Sequence, residues 1–356
     1  MARLQRPRYY GQTPIANASS TITTTQKAVS VITNGLPTGD LLMNNLAIRL
    51  SGNLNIATSS AGTLITDGEK VFLRSLSIET DKHGIIAQGL DGILLNDINL
   101  MEFGTAPAAT AVSAATTGTP AFSLNLKFPF ALHWGNAKEG LRPYDTILDM
   151  LLARMTVKAQ LGIVTDFISG GTYTTEEVQV ANIDMSGRII DSPVVAPADQ
   201  SLLPQFQRSL DVFKVPITAT ASGYRISLPY GDRIYNRIYV TQRSSSTLLR
   251  LSTVITSTAL VGVAVNGTNI MDPTPLALIQ DQNKSDYGIE TMPTGVAVID
   301  FGTTNRIPDE LNVNTRQNGT LELVADVTSV SNGSLYIAVD SLKPIPDQAR
   351  RAVAAQ

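Results

Sequence analysis

Acid–base chemistry near neutral pH would fall first to histidine, and the sequence offers two. His83 sits in the turn-like run Asp81-Lys82-His83-Gly84, and His133 stands beside Trp134 and Gly135. Neither has an HExxH partner or a second ligand at metal spacing, so neither a zinc site nor a Ser–His–Asp arrangement is indicated. Paired carboxylates could cleave a glycoside if they faced each other across a cleft. The pairs here are Glu176 with Glu177, Asp145 with Asp149, and Asp309 with Glu310. They are near neighbours on expected strands or helix starts, where an acid is solvated or complements a helix N-terminus. The segment 281–286 (DQNKSD) lacks the glycine and closing glutamate of an EF-hand loop. Without cysteine, the chain has no disulfide, thiolate metal site or thiol nucleophile. The expectation is a protein that is not an enzyme, with no cofactor, no metal and no catalytic residue.

The arginines are the other candidates, because a guanidinium fork matches a carboxylate or a phosphate. Arg3, Arg6 and Arg8 precede Tyr9 and Tyr10, and Arg350 and Arg351 close the chain. Either these ends are mobile tails or they are docking arms that meet an anionic partner. Arg74 and Arg237 lie on expected strands, and Arg142 adjoins Pro143. Each either reaches across a subunit interface or sits on a solvated face. Tyr224, Tyr230, Tyr235 and Tyr239 cluster as an interface patch or as cross-strand partners, the second reading being preferred.

The elements that must position these residues read as strands. The chain has 356 residues, 43% hydrophobic but only 16% charged, with formal net charge −3. Its polar surface comes from Thr, Ser, Asn and Gly, a β-rich composition. Such a charge does not suit a surface that grips nucleic acid throughout, so no sequence-specific nucleic-acid partner is expected. No apolar run approaches the ~18 residues of a membrane helix, and the basic N-terminus lacks the apolar stretch of a secretory signal.

Strands are predicted over 47–58, 71–80, 122–132, 154–162, 176–185, 213–228, 233–242, 248–265, 295–301, 319–330 and 333–342. Met155, Val157, Ala159 and Leu161 alternate with polar residues, as do Leu321, Leu323, Ala325 and Val327 in part. Helices are predicted only at 91–103 and, with Asp145 as a candidate cap, at 144–155. The Ala/Thr/Gly/Pro-rich stretch 104–121 reads as an exposed excursion between two strands or a flexible linker.

A repeat organises these strands. Gly68–Arg74 matches Gly231–Arg237 in class at six of seven positions, 163 residues apart. Val157–Leu161 matches Leu323–Val327 at spacing 166, and Pro143-Tyr144-Asp145 faces Pro308-Asp309-Glu310 at 165. Upstream, the strand at 46–52 can face 211–222. Two copies of one sandwich follow, each a jelly roll of two four-stranded sheets, with a Pro-rich boundary near 190–210. The predicted fold class is all-β, two tandem eight-stranded jelly rolls with short helices in the connecting loops. The divisions are 1–39 (arm and lead-in strand), 40–200 (first roll), 201–344 (second roll) and 345–356 (tail).

With the runs 127–134, 141–150, 154–162, 295–301, 307–315 and 319–344 arranged this way, the chain resembles the double jelly-roll major capsid proteins. The similarity is to the tectivirus, corticovirus and related bacteriophage coats that enclose an internal membrane. It covers roughly residues 40–344 and rests on pattern, not on a signature motif. It implies a homotrimer of six rolls that tiles an icosahedral virion, assembled in the host cytoplasm. Implied partners are neighbouring capsomers, penton and minor capsid or membrane proteins, and the lipid membrane. Arg3, Arg6, Arg8, Arg350 and Arg351 would be its assembly or membrane contacts, and Arg74, Arg142 and Arg237 its intersubunit contacts. The segments 104–121 and 266–294 would be tower or intersubunit loops. The competing readings are a β-sandwich surface or tail module that binds carbohydrate or a receptor, and a β-sandwich hydrolase.

Overall fold

The computed structural model describes residues 9–23, 25, 27–32, 41–81, 84–131, 148–149, 155–191, 206–228, 234–301 and 320–344. They form two compact units that divide between Gln207 and Arg208. The first unit holds β1 (Tyr9–Ile22), β2 (Lys27–Ile32), β3 (Leu41–Ser60), β4 (Thr63–Leu64), α1 (Gly68–Phe72), β5 (Leu73–Thr80) and β6 (Gly84–Leu90). It continues with α2 (Gly92–Phe103), β7 (Ala109–Thr110), β8 (Ala121–Pro129), β9 (Leu148–Asp149), β10 (Met155–Leu161), β11 (Ile168–Ser169) and β12 (Thr172–Asp191). The second comprises β13 (Phe206–Pro216), β14 (Ala221–Ser227), β15 (Ile234–Ser244), β16 (Leu260–Val265), β17 (Thr268–Pro275), α3 (Leu276–Tyr287), β18 (Val296–Asp300), β19 (Leu321–Val327) and β20 (Gly333–Pro344).

Lettered B to I in chain order, the second unit's eight strands form one sheet of order G-D-I-B (β18-β15-β20-β13) and another of order C-H-E-F (β14-β19-β16-β17). That is a jelly roll. Alternation produces its core: Leu321, Leu323, Ala325 and Val327 of β19 meet Ile238, Val240, Leu335, Ile337 and Val339 of β15 and β20. The first unit repeats the plan. Its strands B to I are β1, β2, β3, β5, β6, β8, β10 and β12, in orders B-I-D-G (β1-β12-β3-β8) and C-H-E-F (β2-β10-β5-β6). A void of only about 10 Å³ between these sheets is lined by Ile48, Leu50, Leu124 and Met185 from one and by Leu76, Ala159 and Leu161 from the other. Its lining is apolar throughout, so it offers a water no polar partner.

This strand correspondence corrects the register of the repeat. Val157–Leu161 and Leu323–Val327 are both on strand H, as the spacing predicts. Arg74 opens strand E, whereas Arg237 is on strand D in the opposite type of sheet. Likewise 46–52 belongs to strand D, while 211–222 runs from strand B to strand C. The cause is unequal element and connection length. Strands β1 and β13 start 197 residues apart (206 − 9), but β12 and β20 start only 161 apart (333 − 172). No single spacing can align both ends.

Other differences are local. Residues 9–22 of the expected arm form strand β1, paired with β12. Pro14 is tolerated there because β1 is the sheet's edge. The run 213–228 breaks at 217–220, and only Leu260–Val265 of 248–265 is a strand. Within the predicted helix 144–155, Leu148 and Asp149 instead pair with β3, and Met155 begins β10. The stretch 104–121 follows a helix, not a strand. It lies along β3, with Leu54 N–H donating to Pro120 C=O (2.9 Å) and Ile56 N–H donating to Gly118 C=O (3.1 Å). The segment 266–294 carries β17 and α3.

Candidate functional site

Both rolls place a twelve-residue helix between strands F and G, and both helices carry an asparagine as their eighth residue. In the first roll Asn99 Nδ2 donates to the Lys127 carbonyl (2.5 Å), and Lys127 N–H donates to Asn99 Oδ1 (2.8 Å). In the second, Asn283 Nδ2 donates to the Val298 carbonyl (2.8 Å), and Val298 N–H donates to Asn283 Oδ1 (2.8 Å). Each side-chain amide therefore occupies both backbone groups of one residue of strand G. Gln280 adds a third bond in the second roll, to the Val296 carbonyl at 2.7 Å. Asp91 caps the first helix by accepting from Leu94 N–H (2.8 Å). Both helices stop at a glycine in the left-handed region, Gly104 (φ 70°) and Gly288 (φ 64°).

A signal for this pairing is present in the sequence, but at a spacing of 184. Leu95-Asn96-Asp97-Ile98-Asn99-Leu100-Met101-Glu102-Phe103-Gly104 matches Ile279-Gln280-Asp281-Gln282-Asn283-Lys284-Ser285-Asp286-Tyr287-Gly288 in class at seven of ten positions. The matched aromatics keep a matched role. Lys127 Nζ lies 5.3 Å above the Phe103 ring, and the Arg237 guanidinium lies 5.4 Å above the Tyr287 ring.

The second roll's B-I-D-G sheet carries a buried ion-pair array that runs across all four strands. Arg208 of strand B grips Asp340 of strand I with Nε (2.9 Å) and Nη2 (2.8 Å), both side chains being wholly inaccessible. Asn236 of strand D donates to the same carboxylate (2.8 Å). Arg237 Nε reaches Asp300 of strand G at 2.6 Å, and the Tyr287 hydroxyl donates to that carboxylate at 2.5 Å. Burial lifts the Tyr287 phenol well above its usual pKa, against the pull of Arg237. By register, the first roll has Asn45 and Pro129 where this array has Arg237 and Asp300.

The sequence-predicted residues are distributed as follows. Arg74 pairs with Asp166, which also accepts from Ile163 N–H (3.0 Å). Burial raises the Asp166 pKa and Arg74 opposes the rise. Thus the forks of Arg74 and Arg237 each hold a carboxylate of their own unit. Tyr235 and Tyr239 are buried and Tyr224 is exposed. Glu176 and Glu177 lie side by side on β12, with Glu177 accepting from Asn55 (2.9 Å). Arg3, Arg6, Arg8, Arg142, Arg350, Arg351, His83, His133, Tyr230, Asp145, Asp309 and Glu310 lie outside the described residues. Among the described residues, no group of three His, Cys, Asp or Glu side chains could hold a metal ion.

No protein-family profile matches the sequence, and no curated protein matches it. Solved structures do. A chain from the atomic structure of Sulfolobus turreted icosahedral virus is similar over 96% of this chain and 96% of its own, with TM-score 0.60 and 12% identity. The major capsid protein P2 of bacteriophage PM2 is similar over 92% of this chain and 98% of its own, with TM-score 0.53 and 12% identity. The chain has the double jelly-roll fold. The Faustovirus major capsid protein shares it over 97% of this chain and 92% of its own, at TM-score 0.53 and 8% identity. The double jelly roll thus spans nearly the whole chain, with an F–G helix and its asparagine in each half.

Proposed function

We propose that the chain is a major coat protein of an icosahedral virus. Three copies form a capsomer of six jelly rolls, and these capsomers tile the virion shell over an internal membrane. The observation that carries this reading is the likeness to viral coat chains over nearly the whole of this chain and of theirs, two rolls in one polypeptide. The chemistry agrees with it. The buried ion pairs are held as structural cross-links within the sheets, and a chain sparing in charge suits a surface covered by neighbours.

In this reading Arg3, Arg6, Arg8, Arg350 and Arg351 contact anionic lipid or neighbouring coat, penton and minor capsid or membrane proteins. Arg142 is an intersubunit contact, and assembly takes place in the host cytoplasm. Sedimentation of the purified chain tests the core of the proposal. A stable species at three times 38.0 kDa supports it, and a monomer that persists at high concentration overturns it. Electron microscopy of the particle is the second measurement, and deletion of residues 1–8 should leave the trimer folded while impairing membrane contact.

A further inference from the structure

The outer faces of the two B-I-D-G sheets differ in exposure. In the second roll that face is inaccessible in the single chain: Arg208, Arg237, Tyr239 and Arg243 are each 1% exposed or less. In the first roll Ile48, Leu50, Val180 and Ile183 point into the core, while the alternate described residues of the sheet, apart from the buried pair Asn45 and Pro129 at one end, are mostly exposed or half-buried. Arg49, Asn53 and Gln179 are exposed, and Asn125, Asn182 and Asp184 are half-buried.

We infer that the outer face of this B-I-D-G sheet, open on β12, β3 and β8, is a contact surface for a second copy of the chain, an inference that rests on the coat-protein reading. Size is the first argument. The four strands have 14, 20, 20 and 9 residues, which at ~3.3 Å per residue and ~4.8 Å between strands make a face of about 1,000 Å². A specific interface needs about 800 Å² per partner. Charge is the second. Arg49 is in register with Asp184 and Glu177 is bonded to Asn55, so the face meets an identical chain without like-charge repulsion. Lys127 is the fourth described charge of the face, which makes two of each sign, and the remainder is amide, hydroxyl and alanine, able to donate and accept across a contact. The third is the contrast between copies, since the same surface is buried in one roll and open in the other.

The test uses Asn53 and Gln179, which are register partners on adjacent strands. Asn53→Arg with Gln179→Glu adds bulk and charge that pair within the sheet. The wild type should sediment as a trimer and the double variant as a monomer with unchanged circular dichroism. A control reverses the exposed Lys158–Glu79 pair on strands H and E (Lys158→Glu, Glu79→Lys) and should remain a trimer. In a second experiment Asn53→Cys supplies the only thiol in a cysteine-free chain. Maleimide should label it about tenfold more slowly in the trimer than in the diluted monomer, which decides the matter even if the double variant misfolds. A double variant that stays trimeric, equal labelling rates, or a control that dissociates would each overturn the surface. A wild type that never leaves the monomer would instead overturn the coat reading, and the surface with it.

Discussion

Asn99 and Asn283 make the same two hydrogen bonds to the same strand of two different jelly rolls. Each reads both backbone groups of one strand-G residue, Lys127 in the first roll and Val298 in the second. The two rolls differ in strand length, in connection length and in nearly every core residue, but not in this contact.

Replacing either asparagine should therefore be costly. Asn283 is 3% exposed and Asn99 is fully buried. Asn→Ala leaves a buried N–H and C=O unmet, which costs about 1–3 kcal/mol. Asn283→Asp keeps the acceptor but loses the donor, so it should fall between wild type and Ala. Urea unfolding of the three chains measures the order.

The ion pairs should divide sharply by burial. Asp340→Ala strands the Arg208 guanidinium in a site with no access to water, a loss of about 3–5 kcal/mol. Glu322→Ala opens the Arg225 pair on a surface where the side chains are 45% and 20% exposed, and should cost under about 1 kcal/mol. Paired replacement of Arg208 and Asp340 by apolar residues of similar size should recover most of the larger loss. Chemical unfolding of each variant decides it.

Two carboxylates should act on stability with opposite sign as pH changes. Burial raises the Glu69 pKa. Its contribution is fully present below the unfolded value and is lost as pH rises through the folded value. Glu69→Gln removes that loss, so the variant should gain on the wild type as pH rises above the unfolded carboxylate value. Hydrogen bonds from Ser222 Oγ and Gly223 N–H lower the Asp326 pKa. Its contribution is present above the unfolded value and is lost as pH falls through the folded value. Asp326→Asn should therefore flatten the acid limb of a plot of thermal midpoint against pH.

Gly162 should not accept a side chain. A Cβ there would collide with the Asp166 carboxylate, the group that holds Arg74. Gly162→Ala must displace the ion pair or the backbone, at about 1–3 kcal/mol. A thermal shift of that size in the Gly162→Ala chain is the expected result.

Where hydrophobic alternation was strong, the sequence reading met the structure. Met155–Leu161 and Leu321–Val327 bury the predicted faces, and Asp91 with the apolar run after it is a capped helix. Helix α3 was illegible because its residues, from Gln280 to Asp286, are nearly all polar and only Leu276, Ile279 and Asn283 are buried. The Val/Thr/Leu content of 248–259 imitated a strand, but those residues form bends with Val254 and Ile255 tucked into the core. Burial of Arg208 and Arg237 had no local signal, since each depends on an acid more than sixty residues away in sequence.

The asparagine clamps have a consequence for how copies can be joined. An uncovered strand edge invites another chain to add a strand, the route to fibrils. At Val298 the groups such a strand would need are already taken by Asn283, and Gln280 takes the carbonyl at Val296. A strand added at that edge would first have to break these side-chain bonds, so the clamps that fix the helix to strand G also guard the strand's free side there.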